Sequence, residues 1–491
     1  MIPVLLILIP LLGGLIAFFI KNERNVRTWA LISSLVILVI SLLGLTVFNK
    51  EQYLHHQSDW LGVFRAAFSI KLDGMGQILC LLTAVAYPLV FISTWSKQYK
   101  KAQNFFALML LAQSGLMGVF LAMDALLFYF FWELALIPMY FLCSQWGAEK
   151  RIAVTFKFFI YTFVGSVLML IGIIYIYSHT KDHSFSLSSF YDASLTYKQQ
   201  SFLFWLFFAA FAIKMPIFPF HTWQPDTYEQ SPTATTMILS GVMVKMGVLG
   251  LLRWTLPILP LASFAWGDVA TSLAVIGMIY ASLIAIRQDS IKRLIAYSSI
   301  AHMGLMCAAV FAENKIGIQG VMIQMFNHGI NIVGLWIIAE LIEKQFGTRK
   351  ISELGGLAIK APVMAIFLVI VALANIGLPL TNAFVGEFMM FTGIFGSAVT
   401  EYYVIFTVLA GLSIILAAVY MLNMIRKVFY GNTNSITEAG SDIKMNEKIA
   451  LGIIVILILW MGVYPNSLLN FTHDITENIL IKSDITPLFN K

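Results

Sequence analysis

Charge is what this sequence has least of. Only 11% of its 491 residues are Asp, Glu, Lys or Arg, against about 25% in ordinary water-soluble domains. A solvated globular fold is excluded on that ground. Cysteine is nearly missing too: Cys80, Cys143 and Cys307 each sit inside an apolar run, with no CxxC spacing, so a disulfide framework, a metal centre and an iron–sulfur centre are all poorly supported. No GxGxxG follows a strand and no GxxxxGK[ST] is present, which leaves a nucleotide site without its backbone cradle. The net charge of +6 is spread over short loops and does not point to nucleic acid. The longest polar insertions, 50–73, 179–200 and 431–448, carry no hydrophobic periodicity long enough to build a soluble domain.

What is there is hydrocarbon. Of all residues 59% are hydrophobic, and the mean hydropathy is +0.84. The apolar runs suit membrane helices rather than the alternating ~10-residue strands of a barrel. The fold class is therefore an all-α polytopic membrane protein embedded in a lipid bilayer. About fourteen spans are expected, with cores at 2–20, 29–48, 75–96, 105–123, 125–146, 157–178, 202–221, 232–256, 267–286, 291–311, 317–342, 362–395, 404–425 and 449–466. The first run has its basic residues after it rather than before it, so it reads as a retained span and not a cleaved signal.

Basic residues set the orientation. With the N-terminus outside and the spans alternating, the inside loops hold 20 Lys and Arg and the outside segments nine, and Lys214 and Lys245 fall within the membrane. That asymmetry predicts both termini outside. Two spans are interrupted. One carries Lys214-Met-Pro216-Ile-Phe-Pro219-Phe-His221, and the other Gly377-Leu-Pro379-Leu-Thr-Asn-Ala-Phe-Val-Gly386-Glu387. They lie an odd number of spans apart and so cross in opposite senses, the pattern of inverted-topology repeats. The expected organisation is 1–104 (spans 1–3), 105–258 (first five-helix repeat, spans 4–8), 259–430 (second, inverted repeat, spans 9–13) and 431–491 (connector, span 14 and tail), with spans 7 and 12 broken.

Against so apolar a background, the polar residues at membrane depth stand out. A charge at the bilayer centre costs ~2.5–3.5 kcal/mol or more. Folding does not require Lys214, in a segment from Ser201 to Phe220 with no other charge, and Pro216 frees carbonyls that lipid cannot solvate. Glu133 follows Trp132 about eight residues into its span, ~12 Å. Lys245 is about fourteen residues into its span, and His302 lies ~15 Å beyond Lys292. His328 has Asn331 one turn on, and Glu387 follows the second break. Carboxylate, amine and imidazole groups are what proton transfer needs, since burial and partner charge bring Lys down and Glu up toward neutrality while imidazole is already near it. Ser298, Ser299, Thr235, Thr236 and Ser240 are placed to hold bridging water. Taken singly, each acid or base has a structural reading as a helix–helix pair, and each histidine as a packing residue. Six together, two beside helix breaks, favour proton movement. His221, Asp226 and Glu229 fall at or beyond a span end, where solvent or a partner is the expected contact. Glu340 and Glu343 are expected to snorkel to water at an inside end, and Asp124 to sit at the outer turn between spans 4 and 5.

The segments FWELALIPMYFL (131–142), KMPIFPFHTWQPDTYEQSPTATTMILSGVMVKMGVLGLLR (214–253), SIKRLIAYSSIAHMG (290–304), FNHGINIVGLW (326–336) and LPLTNAFVGEF (378–388) resemble the antiporter-like subunits of respiratory complex I, the proton-pumping NADH:quinone oxidoreductase. The resemblance covers nearly the whole chain and is greatest to the M type, chain 4 in mitochondrial nomenclature. It implies that Glu133 and Lys214 form the family's glutamate–lysine pair, that Lys245 is the central lysine, that His302 and His328 line the connecting water path, and that Glu387 is the acid of the broken twelfth helix. The L and N types and the related antiporter subunits usually place Lys there. The L type also continues into a lateral helix, whereas this sequence stops soon after span 14. Where the family commonly carries more glycine at the second break, Leu380, Asn382 and Ala383 stand here. The resemblance further implies a proton-translocating subunit with no cofactor or redox centre of its own. NADH, FMN, iron–sulfur clusters and quinone would be handled elsewhere in the complex, and the partners would be its other membrane subunits, including adjacent antiporter-like chains. The absence of a targeting presequence favours a bacterial inner membrane, and the charge asymmetry puts both termini on its periplasmic side. The same fold also serves cation/proton antiporters and membrane-bound hydrogenases, and a purely structural scaffold subunit is the alternative of another class.

Overall fold

The structure, a computed structural model, describes residues 1–47 and 50–485; Lys491, counted above among the outside charges, lies beyond them. The long or apolar helices are α1 (Ile2–Ala17), α2 (Glu23–Thr46), α3 (Gly74–Ser93), α4 (Ala102–Leu121), α5 (Ala125–Trp146), α6 (Arg151–Tyr177), α7 (Tyr197–Lys214), α8 (Trp223–Gln230), α9 (Thr233–Thr255), α10 (Pro260–Ile286), α11 (Ile291–Val310), α12 (Lys315–Phe346), α13 (Pro362–Asn375), α14 (Asn382–Phe395), α15 (Tyr403–Phe429), α16 (Met445–Val463) and α17 (His473–Ser483). Eleven of the described helices are long and apolar enough to cross a membrane, and three shorter apolar ones, α1, α13 and α14, accompany them. Each expected span core overlaps one of these helices or, at the two breaks, a helix and its interruption.

Burial sorts the helices by position. The most apolar stretches of α9 and α12 are wholly buried, while those of α2, α15 and α16 are only one-third buried. α9 and α12 thus form the centre of the bundle and the others its rim. A central helix can be polar where its neighbours satisfy it. Accordingly α12 buries Gln319, Gln324, Asn327, His328 and Asn331, a sequence that would be unstable facing lipid. α9 contacts α12 closely at glycine: a Cβ on Gly329 would stand 2.8 Å from the Gly241 carbonyl oxygen.

Both breaks resolve their backbone accounting. Pro216 cannot donate to the Ala212 carbonyl, which accepts instead from the Ile217 N–H at 2.8 Å. The Ile213 carbonyl thereby released takes the indole N–H of Trp223 at 3.0 Å. At the second break Leu378 N–H reaches back to the Leu373 carbonyl. Asn382 and Asn327 then clasp reciprocally, each side-chain amide donating to the other's backbone carbonyl at 3.3 and 2.8 Å. This is the work of one residue standing where glycine was expected.

The connector 50–73 carries the only named strands among the described residues. It folds as an antiparallel hairpin, His55–Leu61 with Ala66–Lys71, turned by Arg65 in the left-handed region. Asp124 caps α5, accepting from Leu126 and Leu127 N–H, and also accepts from Ala67 N–H of the hairpin. It therefore lies at the turn between α4 and α5 as expected, and it joins the hairpin to the bundle. Burial pushes its carboxyl above the ordinary range, against the opposing pull of those three N–H donors.

The ends of the bundle carry different charge networks. One face, called here the basic face, joins Lys97 to Glu340, Lys292 to Glu343, Lys344 to Glu447, and Lys157, Arg293 and Arg349 to Asp226 and Glu229. The opposite face carries Lys71–Glu51, Lys315–Glu477 and the buried Arg253–Asp73 pair. The basic residues assigned to inside and outside loops thus sort onto opposite ends. Glu340 does not snorkel to water: it is 8% exposed and bonded to Lys97. Asp226 and Glu229 are likewise engaged by basic side chains within the fold.

Candidate functional site

Four of the six expected residues meet across the bundle centre. α9 is interrupted by a π turn at Leu239–Met243, a feature that inserts a residue and often marks functional positions. The wider turn leaves the Ser240 carbonyl to accept from Lys245 Nζ at 3.1 Å. The same nitrogen stands 2.8 Å from His328 Nδ1 on α12. The His328 ring lies 5.3 Å, centre to centre, from that of His302 on α11, and His302 Nδ1 is 3.3 Å from Glu387 Oε1 on α14. Gln324 Nε2 reaches the same carboxylate at 3.5 Å. Lys245, His328, His302 and Glu387 are all buried or nearly so, so amine, two imidazoles and carboxylate form a short polar series inside an apolar bundle.

The other two do not form the expected contact. Lys214 and Glu133 are absent from the ion pairs within 4.0 Å. Lys214 Nζ instead lies 5.2 Å above the Trp132 ring, an attraction of about 0.5–2 kcal/mol depending on desolvation, and has no hydrogen-bond partner within the protein. Glu133 is half-buried, with Oε1 also unpartnered, and lines a groove of ≈360 Å³ with Trp60, Tyr129 and Phe130. Trp132 takes the place beside the lysine that the carboxylate of the next residue was expected to fill.

Lys214 and Lys245 are also separate. No hydrogen bond joins them, and Met215 and Phe211, on the Lys214 helix, pack against Gly247 of α9. Thr235 Oγ1 of α9 is buried without a protein partner, while the buried Tyr228 hydroxyl has the side chains of Gln224 and Ser240 as its polar neighbours. A buried polar group left unpaired costs about 1–3 kcal/mol, so Thr235 Oγ1 calls for a hydrogen bond from water, the role in which it was expected.

Several polar residues escaped the sequence reading. Lys292, counted among the inside charges, is buried, donates to Thr233 Oγ1 at 3.0 Å and pairs with Glu343. Gln113 of α4, with neither polar atom partnered, and Gln224 were passed over because uncharged amides do not stand out in a hydropathy trace. Arg253 was placed outside; it sits at that end of α9, buried, its guanidinium meeting both Asp73 oxygens at 2.8 and 2.7 Å and the Phe120 carbonyl at 2.9 Å. For Gln113 and Arg253 the signal was an apolar run on both sides; Gln224 and Lys292, beside other polar residues, carried none. No cluster of three or more His, Cys, Asp or Glu among the described residues is arranged to hold a metal ion.

Comparison with known proteins follows the same lines. The family described as NADH:quinone oxidoreductase/Mrp antiporter, TM, matches residues 122–415. NADH-quinone oxidoreductase subunit M of Rickettsia prowazekii is 38% identical over 487 residues, covering 97% of this chain and 98% of that one. Subunit M of Escherichia coli K12 is 34% identical over 499 residues, covering 96% of each. Among solved structures, a chain of respiratory complex I from Thermus thermophilus superposes with a TM-score of 0.90 at 26% identity, covering 99% and 100%. A chain of the Mrp complex from Dietzia sp. shares the fold at 18% identity with a TM-score of 0.86, covering 99% and 98%. The chain belongs to the family of NADH:quinone oxidoreductase and Mrp antiporter membrane subunits.

Proposed function

We propose that this chain is the M-type, proton-translocating membrane subunit of an NADH:quinone oxidoreductase, coupling NADH oxidation and quinone reduction in other subunits to proton movement through its own buried side chains. The observation that carries the reading is the series Lys245–His328–His302–Glu387, with successive contacts at 2.8 Å, 5.3 Å between rings and 3.3 Å. Such a series has a cost in a bundle centre that packing alone would avoid. Glu387, where relatives of other types usually carry Lys, and full-length identity to the subunit M chains favour the M type over an antiporter or membrane-bound hydrogenase subunit.

In this reading Lys245 is the central proton-holding group. Its Nζ can pass a proton to His328 Nδ1 directly when that nitrogen is unprotonated, and His302 relays between His328 and the Glu387 carboxylate. Glu133 and Lys214 respond to a charge change brought by a neighbouring subunit. Because Lys214 is in contact with Trp132 rather than Glu133, the pair works at a distance, through the field of one charge on the other in a poorly screened interior. The chain holds no redox centre; NADH, FMN, iron–sulfur clusters and quinone belong to other subunits. Its partners are the adjacent antiporter-like chains. The repeats are 105–258 and 259–430, and the basic face is cytoplasmic in a bacterial inner membrane, with both termini periplasmic.

The test is Lys245→Ala in the assembled complex in native membranes. NADH-driven acidification is expected to be lost, with NADH oxidation by an artificial acceptor retained in the redox arm. Full acidification at unchanged assembly would remove Lys245 from the path and leave the scaffold alternative. Sodium-dependent transport by the wild type would favour the antiporter reading.

A further inference from the structure

Tyr420 of α15 borders two cavities. On the basic face a crevice of ≈460 Å³ opens among Arg287, Asp289, Ser352, Asn423 and Lys427, and its inner wall is Tyr420. Behind the same ring is a small cavity lined by His302, Glu387 and Ser413, with Tyr420 again in its wall. The space in it open to a water's centre is ≈20 Å³, and about 10–15 Å³ with two or more polar partners suffices for one water. The polar partners are present: the Glu387 carboxylate, and His302, whose Nε2 has no partner in the protein.

Tyr420 is the one residue that lines both spaces, and a hydrogen-bonded knot holds it. The Tyr420 hydroxyl donates to Ser298 Oγ of α11 at 3.0 Å. Asn375, at the end of α13 where the second break begins, donates its side-chain amide to the same oxygen at 3.1 Å. All three residues are buried. Ser298 is one helical turn from His302, and Asn375 is two residues from Gly377, whose absent side chain makes room for Glu387. The knot therefore ties together the helix that carries His302, the break beside Glu387, and the ring that closes the crevice. A rearrangement at the break pulls on Asn375 and so on the oxygen that holds the tyrosine.

We propose that Tyr420, latched by Ser298 and Asn375, is the gate of a water path from the basic-face crevice to the Glu387–His302 end of the polar series. Closed, it leaves Glu387 in contact with His302 and Gln324 inside the bundle. Open, it joins the small cavity to the crevice and lets Glu387 exchange protons with that face. This rests on the reading of Glu387 as a proton-carrying group, but the geometry of access is testable without any pumping. Tyr420 is a positioning residue here: it admits or excludes water and does not itself hold the transferred proton.

The experiment uses the assembled complex in membrane vesicles of both orientations and a small, charged, membrane-impermeant thiol reagent. The native cysteines are buried, and the cysteine-intact wild type supplies the background. Asn423→Cys, in the crevice, is expected to react from the basic face. Ser413→Cys, in the inner cavity, is expected to resist in the wild-type background and to react from that same face when combined with Tyr420→Ala. Tyr420→Phe keeps the ring and loses the latch; it is expected to raise Ser413→Cys labelling by roughly tenfold or less, the effect of one lost hydrogen bond. Failure of Asn423→Cys to react from the basic face would overturn the crevice, and Ser413→Cys labelling indifferent to Tyr420→Ala would overturn the gate. Intact acidification in Lys245→Ala would instead overturn the functional reading while leaving these access results standing.

Discussion

Gly377→Ala is expected to abolish proton translocation without dismantling the complex. Gly377 sits at the second break with φ +79, a region that costs a residue bearing a Cβ roughly 1–2 kcal/mol. A Cβ built there falls 2.3 Å from Glu387 Oε2 and 3.1 Å from its Cδ. Ordinary contact begins near 3.4 Å, so the carboxylate has to retreat by about 1 Å or more. Its contact with His302 Nδ1 is only 3.3 Å, and a displacement of this order in a reacting group can cost about a hundredfold in rate. The strain is modest against the stability of a large bundle, so assembly should survive. The assay is NADH-driven acidification in vesicles, normalised to complex content by native gel and to NADH oxidation with an artificial acceptor. Gly411→Ala is the control, because nothing lies within 4 Å of its added Cβ; it should be indistinguishable from wild type. Full acidification by Gly377→Ala would show either that Glu387 moves aside freely or that it carries no proton, and would refute the reasoning.

The Arg253–Asp73 pair should behave as a buried ion pair at one end of the bundle: Asp73→Ala, which also removes the α3 cap at Gly76 N–H, is expected to destabilise by about 3–5 kcal/mol, and Asp73→Asn by less, read as thermal loss of assembled complex in detergent. Trp223→Phe should cost about 1–3 kcal/mol by orphaning the Ile213 carbonyl at the first break, measured the same way. Glu313 lies in the turn between α11 and α12 with its carboxyl pushed up by burial to about 8 from 4.5. Because the folded-state value is the higher one, its neutral form favours folding: the contribution is full below pH 4.5, falls as pH rises toward 8, and is gone above it. Glu313→Gln should therefore match wild-type thermal stability near pH 5 and exceed it at pH 8; equal pH profiles would refute the burial argument.

The proposed proton series is legible in sequence because the bilayer makes it so. Lys245, His302, His328 and Glu387 each interrupt an apolar run, and no surface exists at that depth to explain them. What the sequence left open was adjacency. Lys292 and Lys245 look alike as isolated cations, yet one meets Glu343 and a threonine near the basic face while the other meets an imidazole at the centre. Glu133 and Lys214 look like a pair, yet no ion pair within 4.0 Å joins them and Lys214 Nζ lies over the Trp132 ring. Side-chain direction decides these cases, and direction depends on helix rotation and on the π turn at Leu239–Met243, neither of which leaves a mark in hydropathy.

The sequence by itself determined the class of fold, the run of helices, the two breaks and the sorting of basic residues onto the two ends, since all of these follow from local transfer energies and from proline's missing N–H. Only the tertiary structure decided which helices are central, how the freed carbonyls at each break are satisfied, and which buried polar groups touch. Those outcomes depend on groups such as Trp223 and Asn327, brought from elsewhere in the chain, and a hydrogen bond between distant residues has no energy until the fold has placed both partners.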